Sequence, residues 1–208
     1  MHRRLEVDYI IKRIEGCSLI YIIRHGKTEL NKSNVLQGRS DYPLNDEGIK
    51  QAEEAAFILK NVTFDYVFSS PLIRSVRTAE IVVPQSSIQI DERLIEMDYG
   101  SYEGVNLMNP PAEIQKFFSD FVHNEAPEGM EQLSSVVDRA GKFIEDIRKL
   151  SGNILISTHA IAMKGLLEYL TPDSNGSYWS KYIGNCDIYV ADNKDGQISV
   201  PRKMQNMP

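Results

Sequence analysis

Cysteine is nearly absent: the 208-residue chain has two, Cys17 and Cys186, far apart and outside any CxxC or Cys/His spacing that would hold a metal. Two isolated thiols argue against a disulfide-stapled scaffold or a zinc module and suit a reducing compartment. Histidine is also scarce, with four residues, and tryptophan occurs once. No apolar run approaches the roughly 18–20 residues that a membrane helix requires, so no membrane partner is expected. Positive charge is in deficit: 23 Lys and Arg face 29 Asp and Glu, giving a net charge of −6. A surface of that sign repels polyanions, which argues against nucleic acid as a partner. The opening residues, Met1 to Asp8, carry acids before any apolar stretch develops. That is unlike a secretory signal and predicts a cytoplasmic location.

What is present is an ordinary core-forming composition, 42% hydrophobic and 25% charged, in a length that suits one domain. Apolar strand-like runs alternate with segments of helical period, the pattern of an α/β layer architecture. Strands are expected at Leu19–Ile23, Phe64–Phe68, Ile88–Ile90, Asn153–Ser157 and Asp187–Val190, the last completing the sheet. Helices are expected over Glu47–Lys60, with Ile49, Ala52, Ala56 and Leu59 as the buried stripe and Asn45 or Asp46 as N-cap, and over Leu72–Val82. Further helices follow over 111–121, Gln132–Leu150 and Ala160–Leu170, and the irregular stretch 100–130 is expected to cover a site. No internal repeat, low-complexity tract or linker interrupts the chain. Residues 1–18 read as an N-terminal extension whose structure the periodicity does not choose: Leu5, Val7 and Tyr9 alternate, whereas Ile10, Ile11 and Ile14 fall at helical spacing. Residues 19–208 form one domain.

Chemistry gathers at the strand ends. Arg24-His25-Gly26 follows the first apolar run, Ser69-Ser70-Pro71-Leu72-Ile73-Arg74 the second, and Ser157-Thr158-His159 the fourth, while Leu94-Ile95 leads into Glu96. In a mostly parallel sheet the carboxyl ends of the strands share one edge, so these groups can meet. Two histidines, two arginines and a carboxylate suit phosphoryl transfer without a metal or cofactor, because its transition state spreads negative charge over oxygens that cationic donors must hold. One histidine attacks phosphorus and the arginines clamp the oxygens. The carboxylate, if its apolar approach keeps it protonated, supplies the leaving group's proton. The arrangement predicts a small-molecule phosphate ester as the partner.

These motifs resemble those of the histidine phosphatase superfamily, the group that contains cofactor-dependent phosphoglycerate mutase and many small phosphatases. Arg24-His25-Gly26-Lys27-Thr28-Glu29-Leu30-Asn31 is similar to the family signature, continued by Leu36 to Gly48. Ser69 to Arg74 with Arg77-Thr78-Ala79-Glu80, Leu94 to Gly104, and Ser157-Thr158-His159-Ala160 resemble its remaining motifs, in order and over residues 19 to about 165. The resemblance implies a phosphoglycerate mutase-like three-layer α/β/α sandwich around a mostly parallel sheet. It also implies His25 as phosphorylated nucleophile, Glu96 as proton donor, and Arg24, Arg74 and His159 as the rest of the phosphate pocket. Asn31, Gln37, Gly38 and Tyr99 match substrate-side positions. Arg77, one helical turn beyond Arg74, reads instead as an ion-pair partner of Glu80. Ala160 stands where the family usually has glycine, a change that retains the backbone N–H of a helix start.

The resemblance further implies that mutases place an arginine directly after the catalytic glutamate and an arginine pair in the insertion that follows. Here Met97 follows Glu96, and between Asp98 and Val137 the single cation, Lys116, stands among Asp98, Glu103, Glu113, Asp120, Glu125, Glu128 and Glu131. Holding a doubly charged partner needs a second cationic cluster, so the balance favours hydrolysis of a monophosphate ester over mutase action. Mutase action and a catalytically silent phospho-ligand-binding relative are the alternatives, although none of the five pocket residues is missing. The aromatic and methionine residues of the covering stretch would accommodate an organic body, but the packed face of a helix over 111–121 accounts for most of them. The sequence is compatible with a homo-oligomer and does not name the substrate.

Overall fold

The computed structural model describes residues 18–204; residues 1–17 of the N-terminal extension, Cys17 included, lie outside the described residues. In chain order the regular elements are β1 (Ser18–Arg24), α1 (Glu29–Lys32), α2 (Asp46–Leu59), β2 (Tyr66–Ser69), α3 (Ile73–Val82), β3 (Ile88–Ile90), α4 (Ala112–Ser119), α5 (Leu133–Ile147), β4 (Ile154–Thr158), α6 (Ala160–Leu170), β5 (Ile188–Lys194), β6 (Gln197–Ile198) and β7 (Arg202–Lys203). The sheet runs β3-β2-β4-β1-β5-β6, with β7 also on β5. Its inner pairs are parallel and its β5 side is antiparallel.

Why β1 sits centrally follows from its side chains. Ile20, Tyr21, Ile22 and Ile23 are 0–1% exposed, a continuous apolar run that only a strand covered on both faces can bury. Alternation then sends Ile20 and Ile22 to one face, where they meet Phe143, Ile144 and Ile147 of α5 and Met163 and Leu166 of α6. Tyr21 and Ile23 meet the other face, with Ala55 and Leu59 of α2 and Ala79 and Val82 of α3. Each such burial contributes about 1.5–3 kcal/mol, so the central strand is among the strongest anchors of the fold. The result is the expected three-layer sandwich. A third cluster, Leu36, Met97, Tyr99, Ile114, Phe117, Met130, Ile161 and Trp179 among others, lies over the site edge.

Several expectations need correction. The buried stripe of α2 is Gly48, Ala52, Ala55 and Leu59, so Ile49 and Ala56 are only partly covered. A glycine is required at its start because backbone meets backbone there: a Cβ on Gly48 would stand 2.1 Å from the Lys27 carbonyl, and one on Gly26 2.4 Å from the Gly48 carbonyl. Asn45 caps this helix by accepting from the Gly48 N–H at 2.8 Å. The last long strand does not finish the sheet, since β6 and β7 follow on the far side of β5. Two-residue strands carry too little periodicity to be read from sequence. Helix α5 ends at Ile147, short of Leu150, and β1 starts one residue early, at Ser18.

Candidate active site

The parallel register puts Arg24 opposite Thr158 and Ser69 opposite Ser157, so the chain leaves three adjacent strands side by side. The His25 N–H then donates to the Thr158 carbonyl at 2.9 Å and the Ser70 N–H to the Ser157 carbonyl at 3.0 Å. These two bonds carry the ladder one step past the strands and hold the imidazoles of His25 and His159 at a centroid separation of 5.1 Å.

His25 is 3% exposed, and its Nδ1 lies 2.7 Å from the Gly26 carbonyl oxygen. A carbonyl only accepts, so Nδ1 carries the proton and Nε2 keeps its lone pair. Arg74 Nε donates to that Nε2 at 3.3 Å. Burial first, then the Arg74 and Arg24 charges, push the His25 pKa well below the usual histidine value, which keeps the ring neutral and nucleophilic.

Arg74, on the first turn of α3, is fully buried. Its Nη1 and Nη2 donate to the carbonyls of Ser40 at 2.7 Å and Gly38 at 2.6 Å, and burial lowers its pKa to about 10. The loop that offers those carbonyls is itself held by one carboxylate. Glu103 accepts from the N–H groups of Gly38 (2.8 Å), Arg39 (3.2 Å) and Ser40 (3.2 Å) and from the Ser40 hydroxyl (2.5 Å). Gly38 is required by close approach, because a Cβ there would come within 2.6 Å of the Met97 carbonyl and the Tyr99 ring. Thr78, one turn after Arg74, accepts from the Gly26 N–H at 3.0 Å and donates to the Arg74 carbonyl at 2.7 Å, tying the two motifs together.

His159 N-caps α6 and is completely buried. His159 Nε2 and the Ser70 hydroxyl share a hydrogen bond of 2.7 Å, and the same hydroxyl accepts from the Leu72 N–H at 3.3 Å. Among the described residues His159 Nδ1 and two buried donors, Arg24 Nε and Gln37 Nε2, have no hydrogen-bond partner. Orphaned buried donors carry a desolvation cost, and an anion is the ligand that satisfies them. Burial leads the causes that lower the pKa of both His159 and Arg24, and Arg74 and His25 add to it at His159. Arg24 Nη1 donates to the Ile183 carbonyl at 2.6 Å.

Glu96 differs from its expected setting. The apolar approach turns away, with Leu94 buried in the sandwich core, and the Glu96 carboxyl group meets amides instead. Its Oε1 accepts from Met97 N–H at 2.9 Å and Ala162 N–H at 3.0 Å, and its Oε2 from Ile161 N–H at 3.2 Å. The start of α6, which Ala160 opens, therefore serves Glu96 through the amides of Ile161 and Ala162. Oε1 has both lone-pair positions filled, so Oε2 is the oxygen left to exchange a proton. Around Glu96, Arg139 Nη1 donates to the carbonyls of Arg93 (2.7 Å) and Ile95 (2.6 Å), while its Nε pairs with Glu131 Oε1 at 2.8 Å. Glu131 Oε2 in turn accepts from Asp98 N–H at 3.1 Å.

The remaining expected residues fall as follows. Asn31 Oδ1 accepts from Thr28 N–H at 3.2 Å, closing a capping box on α1, and from Asn185 Nδ2 at 3.3 Å. Gln37 Oε1 accepts from the Thr28 hydroxyl at 2.7 Å. Tyr99 is buried against Phe118, and burial, then Glu96 and Glu103, push its phenol well above the usual tyrosine value. Arg77 pairs with Glu80 at 3.0 Å, away from the pocket. Of the covering side chains Phe117 and Met130 are buried in the third cluster, whereas Met108 is 76% exposed. Sequence reasoning missed Ser70, Thr78 and Glu103 as contributors although all three stand inside motifs it singled out. It also missed the segment after α6, whose Ile183 carbonyl and Asn185 amide reach Arg24 and the His25 carbonyl.

The family model for the histidine phosphatase superfamily (branch 1) matches residues 20–205. The phosphoserine phosphatase 1 of Hydrogenobacter thermophilus is 28% identical over 178 residues, 82% of this chain and 84% of that one. The probable phosphoglycerate mutase GpmB of Escherichia coli is 34% identical over 181 residues, covering 83% and 84%. Among solved structures, the phosphoserine phosphatase of Entamoeba histolytica in complex with 3-phosphoglyceric acid superposes with a TM-score of 0.76 at 25% identity, over 92% of this chain and 98% of that one. With paired strand-end histidines and a family model spanning nearly all of the sheet, this chain belongs to the histidine phosphatase superfamily.

Proposed function

We propose that this phosphatase of the histidine phosphatase superfamily hydrolyses small organic phosphate monoesters through a phosphohistidine on His25. His25 Nε2 attacks phosphorus in line with the ester oxygen; the N–P bond forms as the P–O bond breaks. The leaving oxygen takes its proton from Glu96 and departs as the free alcohol. Water then attacks the phosphohistidine, gives a proton to Glu96, and releases inorganic phosphate and neutral His25. Arg24, Arg74 and His159 hold the non-bridging oxygens, where charge gathers in the transition state. Asn31, Gln37, Gly38 and Tyr99 bound the side from which the organic group enters.

One observation carries the reading: His25 is locked by the Gly26 carbonyl in the tautomer that leaves Nε2 unprotonated, with a buried arginine donating to it. No metal enters any of these steps. A cytoplasmic setting suits the two isolated cysteines, of which Cys186 is a free thiol. The test uses p-nitrophenyl phosphate in EDTA. Release that falls at least 10³-fold in His25→Ala supports the mechanism, and trapping a ³²P-labelled, acid-labile and base-stable adduct in wild type but not in that variant identifies the intermediate. Equal rates in the two proteins would overturn it.

The similarity to a probable phosphoglycerate mutase favours a second reading, in which the phosphoryl group returns to a bound glycerate. The exposed position of Lys116, the single cation between Asp98 and Val137, weighs against it, because a returning partner would meet no second cationic cluster there. Incubation with phosphoglycerate, with and without its bisphosphate, separates the two. Net release of free phosphate is expected, and rapid interconversion without release would establish the mutase.

A further inference from the structure

A buried cation remains that the proposed chemistry does not use. Lys164 lies on α6, five residues after His159, and is 8% exposed. Its Nζ donates to the Trp179 carbonyl at 2.6 Å and stands 5.1 Å from the centre of the Phe121 ring. Among the described residues no carboxylate pairs with it, so two of its three donor positions lack a protein acceptor. A lysine is seldom buried without a counter-ion, because the desolvation of its charge is then uncompensated.

Its place in the fold says where the counter-ion comes from. Helical side chains lean toward the N-terminus of their helix, so the Lys164 stem runs back toward the turn whose amides hold Glu96. Glu96 and Arg24 are the charges it feels most, and burial lowers its pKa to about 8. Phe121 belongs to the covering segment and Trp179 to the segment after α6, and both pack in the cluster over the site edge. The ammonium therefore sits where that aromatic cover meets the catalytic edge.

We propose that Lys164 binds a second, singly charged anionic group of the substrate, a carboxylate, so that the preferred substrates are small phosphate esters of hydroxy or amino acids. The inference rests on the phosphatase reading above. A carboxylate matches one ammonium in charge, and the aromatic neighbours exclude the water that would weaken the pair. A second phosphate would bring up to two charges, and the covering segment offers only the exposed Lys116 to share them.

The experiment compares pairs of substrates that differ only at the carboxylate: O-phosphoserine with O-phosphoethanolamine, which lacks it, and 3-phosphoglycerate with glycerol 3-phosphate, which has a neutral hydroxymethyl group in its place. In wild type the kcat/KM ratio within each pair is expected at about 10²-fold in favour of the carboxylate, the scale of one or two charged hydrogen bonds. Lys164→Met is expected to reduce the ratio at least tenfold, mainly through KM, and Lys164→Arg to keep it within threefold of wild type. A merely structural role moves both members of a pair alike, so an unchanged ratio in Lys164→Met overturns the proposal. A wild-type ratio near one overturns it even if Lys164→Met fails to fold. Should wild type release phosphate from none of the four esters nor from p-nitrophenyl phosphate, the phosphatase reading itself fails, and that result is distinct from the others.

Discussion

Glu103 touches neither histidine, yet its removal is expected to disable the site through Arg74. One carboxylate accepts four hydrogen bonds from residues 38–40, and the carbonyls of the same loop hold two arms of the Arg74 guanidinium. In Glu103→Ala the exposed N–H of Arg39 turns to water, but the buried Gly38 N–H loses its partner. A hydrogen bond to a charged group is worth about 1.5–3 kcal/mol, and partial rescue by water keeps the sum near 2–3 kcal/mol. For a chain of this length that is a fall in Tm of about 5–10 °C. Relaxation of the loop lets the guanidinium move by about an ångström, for which a loss of about 10² in kcat/KM is the usual scale. Glu103→Gln keeps the Oε1 acceptor and loses mainly the charge and the Arg39 bond, so about 1 kcal/mol and about tenfold are expected. Thermal melts and phosphate release read the two effects separately. The decisive comparison places Glu103→Ala in an Arg74→Met background, where it should still lower Tm but add nothing to the activity loss. Full multiplication of the two activity losses, or an Glu103→Ala enzyme within threefold of wild type, would refute the coupling.

Three further outcomes follow from the geometry. Because burial depresses the pKa of both His25 and His159, the unfolded chain binds protons below about pH 6.5 that the folded one does not; stability is therefore complete above that pH and falls as pH drops, by up to about 1.4 kcal/mol per unit for each histidine. Urea melts from pH 7 to 5 should show a shallower pH slope in the His25→Gln/His159→Gln double variant, and equal slopes would contradict the assignment. Gly48→Ala, which would ordinarily stabilise a helix by up to about 1 kcal/mol, should instead cost about 2 kcal/mol or more, since the new Cβ meets the Lys27 backbone; a raised Tm would show that the close approach is not real. Arg139→Met frees the carbonyls on both sides of Leu94 and so loosens Glu96, which should slow kcat about tenfold or more for an alkyl phosphate but less than threefold for p-nitrophenyl phosphate, whose leaving group needs little protonation; equal slowing would mean a general structural effect.

Much of the fold and of the site is legible in the sequence. The central strands are legible because a parallel strand buried on both faces must be apolar throughout, and Ile20 to Ile23 and Ile154 to Ile156 are. His25 and His159 follow directly on such runs, so their convergence on one edge comes from sheet polarity alone. In the buried stripe of α2, Ala52 and Leu59 were legible, whereas Gly48 and Ala55 take the places expected of Ile49 and Ala56; Gly48 is buried by a backbone contact, and glycine adds nothing to a hydrophobic pattern. Glu96 was identified, but its surroundings were inferred from the neighbours Leu94 and Ile95, and Leu94 is buried in the sandwich core. The groups that hold it are amides of Met97, Ile161 and Ala162, two of them more than sixty positions away and indifferent to side-chain identity.

By itself, then, the order of apolar runs and the residues that end them determined the sheet, the edge on which chemistry gathers, and the pair of histidines and arginines suited to a phosphoryl group. Periodicity and composition are local quantities, and a strand and its terminus are local objects. Tertiary structure alone decided which nitrogen of His25 is unprotonated, how Glu103 governs Arg74 through a loop, which oxygen of Glu96 remains open, and that Lys164 lies buried without a carboxylate partner among the described residues. Each of these depends on a hydrogen bond or a desolvation between segments distant in the chain, often through backbone atoms that every residue carries, and no pattern of side chains along the sequence encodes such a contact.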